Sequence, residues 1–287
     1  MPEISAAPNL SALYVKAVAP RGRRCSELPD TEYVRRDVEV DRRHLADYNR
    51  VCGFDLRDEL PATYPHVLSF GMAVRLMTDP GFPFPLLGLV HVANAIEQHR
   101  PLRVTEPLTL RVRTENLRAH PKGRQFDVVT EASAGDELVW REASTYLRRG
   151  GRDESAPREE LELGGDPSSW EPTANWRAPS DLGRRYAAVT GDRNPIHLHP
   201  LTAKLFGFRR HIAHGMWSKA RCLAAFTGRT PDSCTVRAEF RQPVLLPSTV
   251  DFTERPSSGG RDFALLRAGS SSPKPHLLGT LRPGLPR

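Results

Sequence analysis

The stretch "IAHGMWSKARCLAAF", Ile212 to Phe226, precedes a change in hydrophobic period that decides the fold. From Gly215 its apolar residues recur at helical spacing, which predicts one buried helix. From Val236 apolar residues alternate with charged ones, and the runs "QPVLLPSTVDF" and "DFALLRA" follow. This alternation predicts antiparallel strands. A helix that is apolar on most sides needs covering, and a curved antiparallel sheet wrapped around it provides that cover.

The first half of the chain carries a similar pattern. The segment "FPLLGLVHVANAIEQ", Phe84 to Gln98, has a small residue at Gly88 and apolar positions at helical spacing, so it predicts a second buried helix. Alternating segments follow from Leu108, then in "FDVVTEA" and "ELVWREASTYL". The sequence therefore predicts an α+β protein with two copies of one arrangement, a long helix followed by antiparallel strands.

A change in composition separates the two copies. Residues 151–176 contain seven acidic residues against two basic ones, with several Gly, Pro and Ser. Such a segment is typical of a linker between domains. It predicts an N-terminal domain of residues 1–150 and a C-terminal domain of residues 177–287.

Length and composition bound the class of protein. The 287 residues, 39% of them hydrophobic, are sufficient for two domains with cores of their own. The sequence has no apolar run of transmembrane length and no signal peptide at its start, so we expect a cytoplasmic protein without stable membrane insertion. Its four cysteines (Cys25, Cys52, Cys222 and Cys234) are scattered, which favours reduced thiols.

The net charge of +7 raises the question of a nucleic-acid partner. Only five of the 41 basic residues are lysine, and the arginines are spread along the whole chain. No nucleic-acid-binding motif accompanies them, so we expect a solvated basic surface and no nucleic-acid binding. An anionic small substrate would be attracted to such a surface.

The loop "GDRNPIHLHP", Gly191 to Pro200, concentrates the polar residues suited to chemistry. Pro195 stiffens the chain and favours an extended conformation at Asn194, so the segment from Asp192 to His197 can form a rigid turn. A carboxylate and a neutral imidazole that converge on one water molecule can orient it and exchange protons with it. This is acid/base chemistry that needs neither a covalent intermediate nor a metal.

Two further residues are candidates for this site, each with a structural alternative. Asn194 has donor and acceptor atoms that could orient the site by hydrogen bonds, or it could serve as an Asx-turn residue before proline. Gly215 opens the apolar helix, where a free backbone N–H and the helix dipole could hold a carbonyl oxygen that becomes enolate-like. It could equally be a glycine required by packing.

Four histidines near Asp192 also suggest a metal site as an alternative: His197, His199, His211 and His214. No pattern of supporting partners accompanies them, and we predict no metal. His211 and His214 are expected to bond backbone groups near the start of the helix.

The run from Tyr186 to Trp217 closely resembles the signature of the MaoC-like dehydratases, the hydratase 2 family of (R)-specific enoyl-CoA hydratases. The positions that match are Tyr186, Gly191, Asp192, Asn194, Pro195, His197, Ala203, Gly207, Phe208, Ala213, His214 and Gly215. The strand segment "FRQPVLLPSTV", Phe240 to Val250, extends the resemblance. The sequence departs from it at His199, where many relatives have an acidic residue.

The resemblance implies a double hotdog, two tandem hotdog domains of which only the C-terminal one carries the motif, as in the actinobacterial 3-hydroxyacyl-thioester dehydratases. It implies reversible syn addition of water to a trans-2-enoyl thioester, giving an (R)-3-hydroxyacyl thioester, without a cofactor. In this family Asp192 and His197 would be the catalytic pair. Asn194 would support them, and the Gly215 N–H would receive the thioester carbonyl.

The resemblance also bears on the substrate. Candidate substrate-binding residues are Tyr186, Phe206, Met216 and Trp217, although core packing is the alternative for the last three. The implied partner is an acyl-CoA or acyl-carrier-protein thioester, whose phosphates Arg209 and Arg210 could meet. The N-terminal half would widen the acyl tunnel or serve a structural role alone.

Pairing of double-hotdog chains into a homodimer is compatible with this layout. Two other functions stay open at this point. One is an acyl-CoA thioesterase, which would aim water at the carbonyl carbon, and the other is a non-catalytic acyl-thioester binding protein.

Overall fold

Ten strands form one continuous antiparallel sheet in the computed structural model, which describes residues 2–5, 8–18, 26–151, 153–157, 160–270 and 273–284. The strands are β1 (Tyr33–Val38), β2 (Leu89–Gln98), β3 (Leu108–His120), β4 (Gly123–Ala134), β5 (Glu137–Arg149), β6 (Pro172–Ala178), β7 (Cys234–Phe240), β8 (Ser248–Ser257), β9 (Gly260–Arg267) and β10 (Pro275–Pro283). The helices are α1 (Leu10–Val18), α2 (Arg42–Cys52), α3 (Tyr64–Met77), α4 (Leu182–Thr190), α5 (Pro195–Leu198), α6 (Pro200–Leu205) and α7 (Gly215–Ala224).

The strand order shows that the chain contains the same unit twice. The order across the sheet is β1-β3-β4-β5-β2-β7-β10-β9-β8-β6, so each half contributes five neighbouring strands and the second half mirrors the first. The halves join where β2 pairs with β7, from Ala93 opposite Glu239 to Gln98 opposite Cys234. The predicted repeat is therefore present, as two five-stranded units that share one sheet.

Each unit packs one central helix against its strands. In the second unit α7 contacts β9 and β10, and this helix lies where the sequence predicts it. In the first unit the corresponding helix is α3, which contacts β3 and β4. Eleven of its 14 residues are buried, as expected for a helix that is enclosed on nearly all sides.

The predicted central helix of the first copy, Phe84 to Gln98, is wrong. Residues Leu89–Gln98 form β2, which is hydrogen-bonded on both sides, to β5 and to β7. A short apolar run with an irregular pattern of burial cannot be assigned to a strand or a helix from its periodicity alone, so β2 can be mistaken for a helix. The signal for the actual helix is Pro65 in the first turn of α3, a position that proline favours.

Each half contributes an aromatic cluster to one common hydrophobic core. In the second unit the ring of Phe226 lies 5.6 Å from that of Phe252 and 5.5 Å from that of Phe263, measured between centroids. In the first unit Phe126 packs against Phe82 at 5.2 Å and Phe84 at 5.7 Å. Edge-on and offset contacts of this kind add to the free energy gained by burying the rings.

A buried lysine connects the two units. Lys219 of α7 is fully buried, and its Nζ donates hydrogen bonds to the carbonyl oxygens of Asn94 in β2 (3.2 Å) and Val236 in β7 (3.1 Å). Burial lowers the pKa of Lys219 to about 7. Because an amine buried without partners would be strongly destabilising, these bonds fix α7 against the strand pair at the centre of the sheet.

The structure also locates the predicted linker and the cysteines. Strand β6 begins at Pro172, within the segment 151–176, of which residues 152, 158 and 159 lie outside the described residues. Cys52, Cys222 and Cys234 are buried free thiols, whereas Cys25 lies outside the described residues. Among the helices in the described part of the chain, none has the length and hydropathy needed to cross a membrane.

Candidate active site

The loop that carries the motif begins where α4 ends. Gly191 adopts a left-handed conformation (φ 75°), and its N–H donates to the carbonyl oxygen of Ala187. This is a common way for a helix to stop, and it turns the chain so that Asp192 leaves the helix end. The N-cap at the other end of α4 is Asp181.

Proline and asparagine shape the rest of the loop. Asn194 is extended (φ −55°, ψ 124°), as expected before Pro195, and its Oδ1 accepts a hydrogen bond from the Ile196 N–H at 3.4 Å. This is the capping interaction considered as the structural alternative for Asn194. Pro195 then starts the single helical turn α5, which carries His197 into the protein interior.

The tautomer of His197 follows from its partner. Its Nδ1 lies 2.8 Å from the carbonyl oxygen of Ile212, which can only accept, so Nδ1 carries the hydrogen and Nε2 has the free lone pair. Burial, followed by the neighbouring His214, lowers the pKa of His197 to about 3. The imidazole is therefore neutral near pH 7 and available as a base.

Asp192 lies against this imidazole and against a second one. Its carboxylate, His197 and His214 each place one ligand-type atom within 4.8 Å of the others, and the two imidazole rings stack at 3.7 Å between centroids. His214 Nε2 also donates to the backbone carbonyl of Asp192 at 3.0 Å, and His211 Nε2 to that of Ser180 at 2.7 Å. Both histidines bond backbone groups as expected, but these groups lie just before and just after α4 and not at the start of α7.

The charge state of Asp192 reflects opposing influences. Burial by itself would raise the pKa of its carboxyl, but the pKa lies below its ordinary value because His214, His197 and two donors stabilise the carboxylate. The donors are the hydroxyl of Tyr14 (2.8 Å) and the N–H of Asn194 (3.1 Å), both to Oδ1. Asp192 is thus ionised beside a neutral imidazole, an arrangement that can orient a water molecule and take a proton from it.

Gly215 is the first residue of α7, so its N–H is among those that a helix leaves without an intrahelical partner. A Cβ at this position would lie 3.0 Å from the ring of Phe240, so a side chain there would force that ring to move. Both alternatives raised for Gly215 are therefore compatible with its position: close packing, and a backbone donor at the positive end of a helix.

One cavity of about 470 Å³ brings these residues together. Its lining includes seven of the eight residues expected at the site: Tyr186, Asp192, Asn194, His197, Phe206, Gly215 and Met216. Trp217 is the exception, because its indole is buried and its Nε1 donates to the carbonyl oxygen of Val51 at 3.1 Å. Trp217 thus packs against the first unit, the structural alternative considered for it.

The first unit supplies much of the remaining wall, which sequence reasoning missed. Its contributions include His66 and Phe70 from α3, His91 from β2 and Tyr146 from β5. The arginine and lysine residues of the lining are Arg118, Lys122 and Arg149 of the first unit and Arg241 of the second, and neither Arg209 nor Arg210 belongs to it. Only pairing of the two units places the side chains of the first unit beside the motif, so local sequence patterns could not have identified them.

The carboxylate and two imidazoles are also a donor set that a divalent cation accepts, with a fourth position left for water. One nitrogen of each imidazole is bonded to a backbone carbonyl, so only the other nitrogen could bind a cation. The expectation that no metal is required stays a prediction.

His91 allows a test of how the stability of the fold depends on pH. Burial, with smaller contributions from His66 and Lys219, lowers its pKa to about 3, while its ring stacks on Tyr146 at 4.7 Å. Because the unfolded chain binds this proton near pH 6.5, stability is complete above that pH and is lost as the pH falls toward 3. Between pH 6 and 4.5 the variant His91→Phe should lose stability less steeply, by about 1.4 kcal/mol per pH unit. Urea unfolding at several pH values measures this slope, and equal slopes would contradict a neutral buried His91.

Comparison with known proteins agrees with this geometry. A model of the MaoC like domain matches residues 166–262, which include the motif loop and α7. The 3-hydroxyacyl-thioester dehydratase X of Mycobacterium tuberculosis is 37% identical over 264 residues, which cover 90% of this chain and 91% of that protein. The chain belongs to the MaoC-like dehydratase family. It is accordingly an enzyme of the hydratase and dehydratase class.

One further relative and two solved structures are also similar to this chain. The peroxisomal enoyl-CoA hydratase 2 of Arabidopsis thaliana is 26% identical over 212 residues, 65% of this chain and 62% of that protein. The crystal structure of HtdX from M. tuberculosis superposes with a TM-score of 0.78 and 36% identity, over 88% of this chain and 100% of that one. An M. tuberculosis protein described as a double hotdog, 13% identical, matches with a TM-score of 0.52 over 85% of this chain and 92% of that one. The predicted double hotdog is confirmed.

Proposed function

We propose that the protein catalyses the reversible syn hydration of trans-2-enoyl thioesters to (R)-3-hydroxyacyl thioesters, and thus acts as a 3-hydroxyacyl-thioester dehydratase of fatty acid metabolism. The observation that carries the proposal is the convergence of Asp192, His197 and the first residue of α7 on one cavity. The names of the relatives support the substrate class: a 3-hydroxyacyl-thioester dehydratase and an enoyl-CoA hydratase.

Water is activated between the carboxylate and the imidazole. The Nε2 lone pair of neutral His197 and the Asp192 carboxylate each accept a hydrogen bond from one water molecule, whose oxygen then attacks C3 of the enoyl group. One proton of that water passes to this pair, and a proton from the pair is delivered to C2. Because both groups lie on one side of the substrate, oxygen and hydrogen add to the same face. The two residues interact strongly, so they titrate as a pair.

The electrophile is prepared at the start of α7. The N–H of Gly215 donates to the thioester carbonyl oxygen, which gains negative charge as C3 is attacked. A donor placed where charge develops typically contributes about 10²- to 10³-fold in rate. Asn194 supports this arrangement indirectly, since its side chain caps α5 and its N–H holds Asp192. No cofactor takes part in this reaction.

The walls of the cavity suggest where the rest of the substrate lies. Tyr186, Phe206 and Met216 line the cavity, and they would contact the acyl chain. Lys122 and Arg149 of the first unit would attract the phosphates of a CoA or acyl-carrier-protein thioester. A basic lining supplied by the first unit gives that unit a role in substrate binding. A cytoplasmic location and the pairing of chains into a homodimer remain predictions.

The test mixes the purified protein with trans-2-enoyl-CoAs of increasing chain length and measures the absorbance of the conjugated enoyl thioester over time. Product stereochemistry and free thiol are measured in parallel. We expect loss of absorbance, an (R)-3-hydroxyacyl product and no thiol release. Thiol release would instead identify a thioesterase. Binding without turnover of either CoA or carrier-protein thioesters would identify an acyl-thioester binding protein.

A further inference from the structure

A residue that precedes both hotdog units reaches the motif. The hydroxyl of Tyr14, in α1, donates a hydrogen bond of 2.8 Å to Oδ1 of Asp192, 178 residues away in sequence. The same oxygen accepts the N–H of Asn194 at 3.1 Å. The other carboxylate oxygen, Oδ2, lies 3.7 Å from His214 Nε2. The carboxylate is therefore held at Oδ1 by two donors, which fixes its orientation.

The helix that carries Tyr14 is docked on the motif loop at a second point. Leu10 lies four residues before Tyr14, so both side chains project from one face of α1. A Cβ at Gly191 would lie only 2.1 Å from Leu10 Cδ1, so the glycine and Leu10 are in close contact. Adjacent loop residues, Gly191 and Asp192, thus each contact the same face of α1.

The segment that contains α1 also contacts the first unit. Pro8, just before α1, packs on Gly71 of α3, where an added Cβ would lie 3.2 Å from Pro8 Cδ. Leu13 of α1 lines a small surface pocket together with Tyr33 and Arg75 of the first unit. The segment from Pro8 through α1 therefore bridges the first unit and the motif loop of the second.

From this geometry we infer that α1 is a part of the catalytic apparatus, in which Tyr14 is a positioning residue that orients the Asp192 carboxylate. This inference rests on the proposed hydration reaction. Tyr14 does not line the cavity, so it acts through Asp192 and does not touch the substrate. The first unit, which lacks the motif, supports the site of the second unit through this helix.

The chemistry of the contact fits that role. Burial and the adjacent Asp192 raise the pKa of the Tyr14 phenol, so it remains a donor across the range in which enzymes work. A donor to the charged form of a carboxyl group stabilises that form and lowers its pKa. The other titratable groups that face Asp192 are His197 in α5, His214 before α7, Tyr186 in α4, His91 in β2 and Tyr146 in β5.

The decisive variant is Tyr14→Phe, which removes only the hydroxyl. Hydration of a trans-2-enoyl-CoA should show a kcat about tenfold lower with little change in KM, the effect expected for losing one hydrogen bond to a charged group. The acidic limb of kcat/KM should move to higher pH because Asp192 is protonated more readily. Val15→Ala, which shortens an exposed side chain of the same helix, is the matched control and should behave as wild type.

Further readouts separate positioning from mere packing. In the background of Asp192→Asn, removal of the Tyr14 hydroxyl should have no additional effect on the residual rate. If Tyr14→Phe does not fold, Tyr14→fluorotyrosine replaces it, and its more acidic hydroxyl should move the acidic limb to lower pH. A folded Tyr14→Phe enzyme with the kcat and pH profile of wild type would overturn the inference alone. Failure of the wild-type chain to hydrate any enoyl thioester would overturn the proposed function.

Discussion

Replacement of Asp192 by asparagine is expected to lower the rate of enoyl-thioester hydration by at least ~10²-fold, the lower end of what a positioned acid or base contributes. The amide has the shape of the carboxyl group, and its oxygen can still accept the hydrogen bond from Tyr14. What it lacks is the negative charge and the ability to take a proton. The fold should be unaffected, and circular dichroism and thermal unfolding check this.

His197→Asn should have an effect of the same size for the complementary reason. An asparagine amide could still donate to the carbonyl oxygen of Ile212, the partner of His197 Nδ1, but it offers no basic nitrogen in place of Nε2. The loss is measured as kcat/KM on a trans-2-enoyl-CoA of the preferred chain length. Both variants should retain substrate binding, because the cavity wall is otherwise unchanged.

Matched controls are available close to each residue. Asp181→Asn changes the N-cap of α4, whose side chain makes no capping bond, and His199→Asn replaces the N-cap of α6 by a residue that caps equally well. Both should hydrate substrate at rates near that of wild type. A folded Asp192→Asn or His197→Asn protein with a near-wild-type rate would remove that residue from the mechanism.

Gly183→Ala is expected to impair both stability and activity, although Gly183 was not identified from the sequence. The residue lies inside α4, and an added Cβ would come within 2.0 Å of the carbonyl oxygen of His197. A backbone atom cannot rotate away, so α5 and His197 must shift. A displacement of about 1 Å at a catalytic group can lower the rate about 10²-fold, and overpacking typically costs about 1–3 kcal/mol.

The sign of the stability change makes this prediction decisive. Alanine is favoured over glycine in a helix by about 1 kcal/mol, so helix propensity alone would make the variant more stable. Arg185→Ala, on the exposed face of the same helix, is the control and should alter stability by less than about 0.5 kcal/mol. A Gly183→Ala protein that is more stable and fully active would show that α4 and α5 do not pack as described.

The motif could be found from sequence because its parts lie close together along the chain. Asp192, Asn194 and His197 share one loop, and Gly215 starts the next long helix. A glycine that ends a helix and a proline that starts a turn are local signals, and the structure has Gly191 and Pro195 in these roles. The strands from Leu108 to Arg149 were likewise predicted by their alternation.

The copies themselves were aligned incorrectly, although a usable signal was present. Tyr48 and Gly53 have the same spacing as Tyr186 and Gly191, and both glycines end a helix in the left-handed conformation. This correspondence would have placed the first central helix after Gly53, where α3 lies. Phe54 then stands where the second copy has Asp192, which explains why the first unit lacks the motif.

The sequence by itself determined the helix and strands of the second half, the polar residues that share the motif loop, and the start of the helix at Gly215. Tertiary structure alone decided that Tyr14 meets Asp192, that Gly183 packs under His197, and that His91 lines the cavity. Local patterns report which face of an element is apolar, but these contacts join residues from separate elements. They arise only when the two units share one sheet and α1 folds across both, and no periodicity within a segment records that packing.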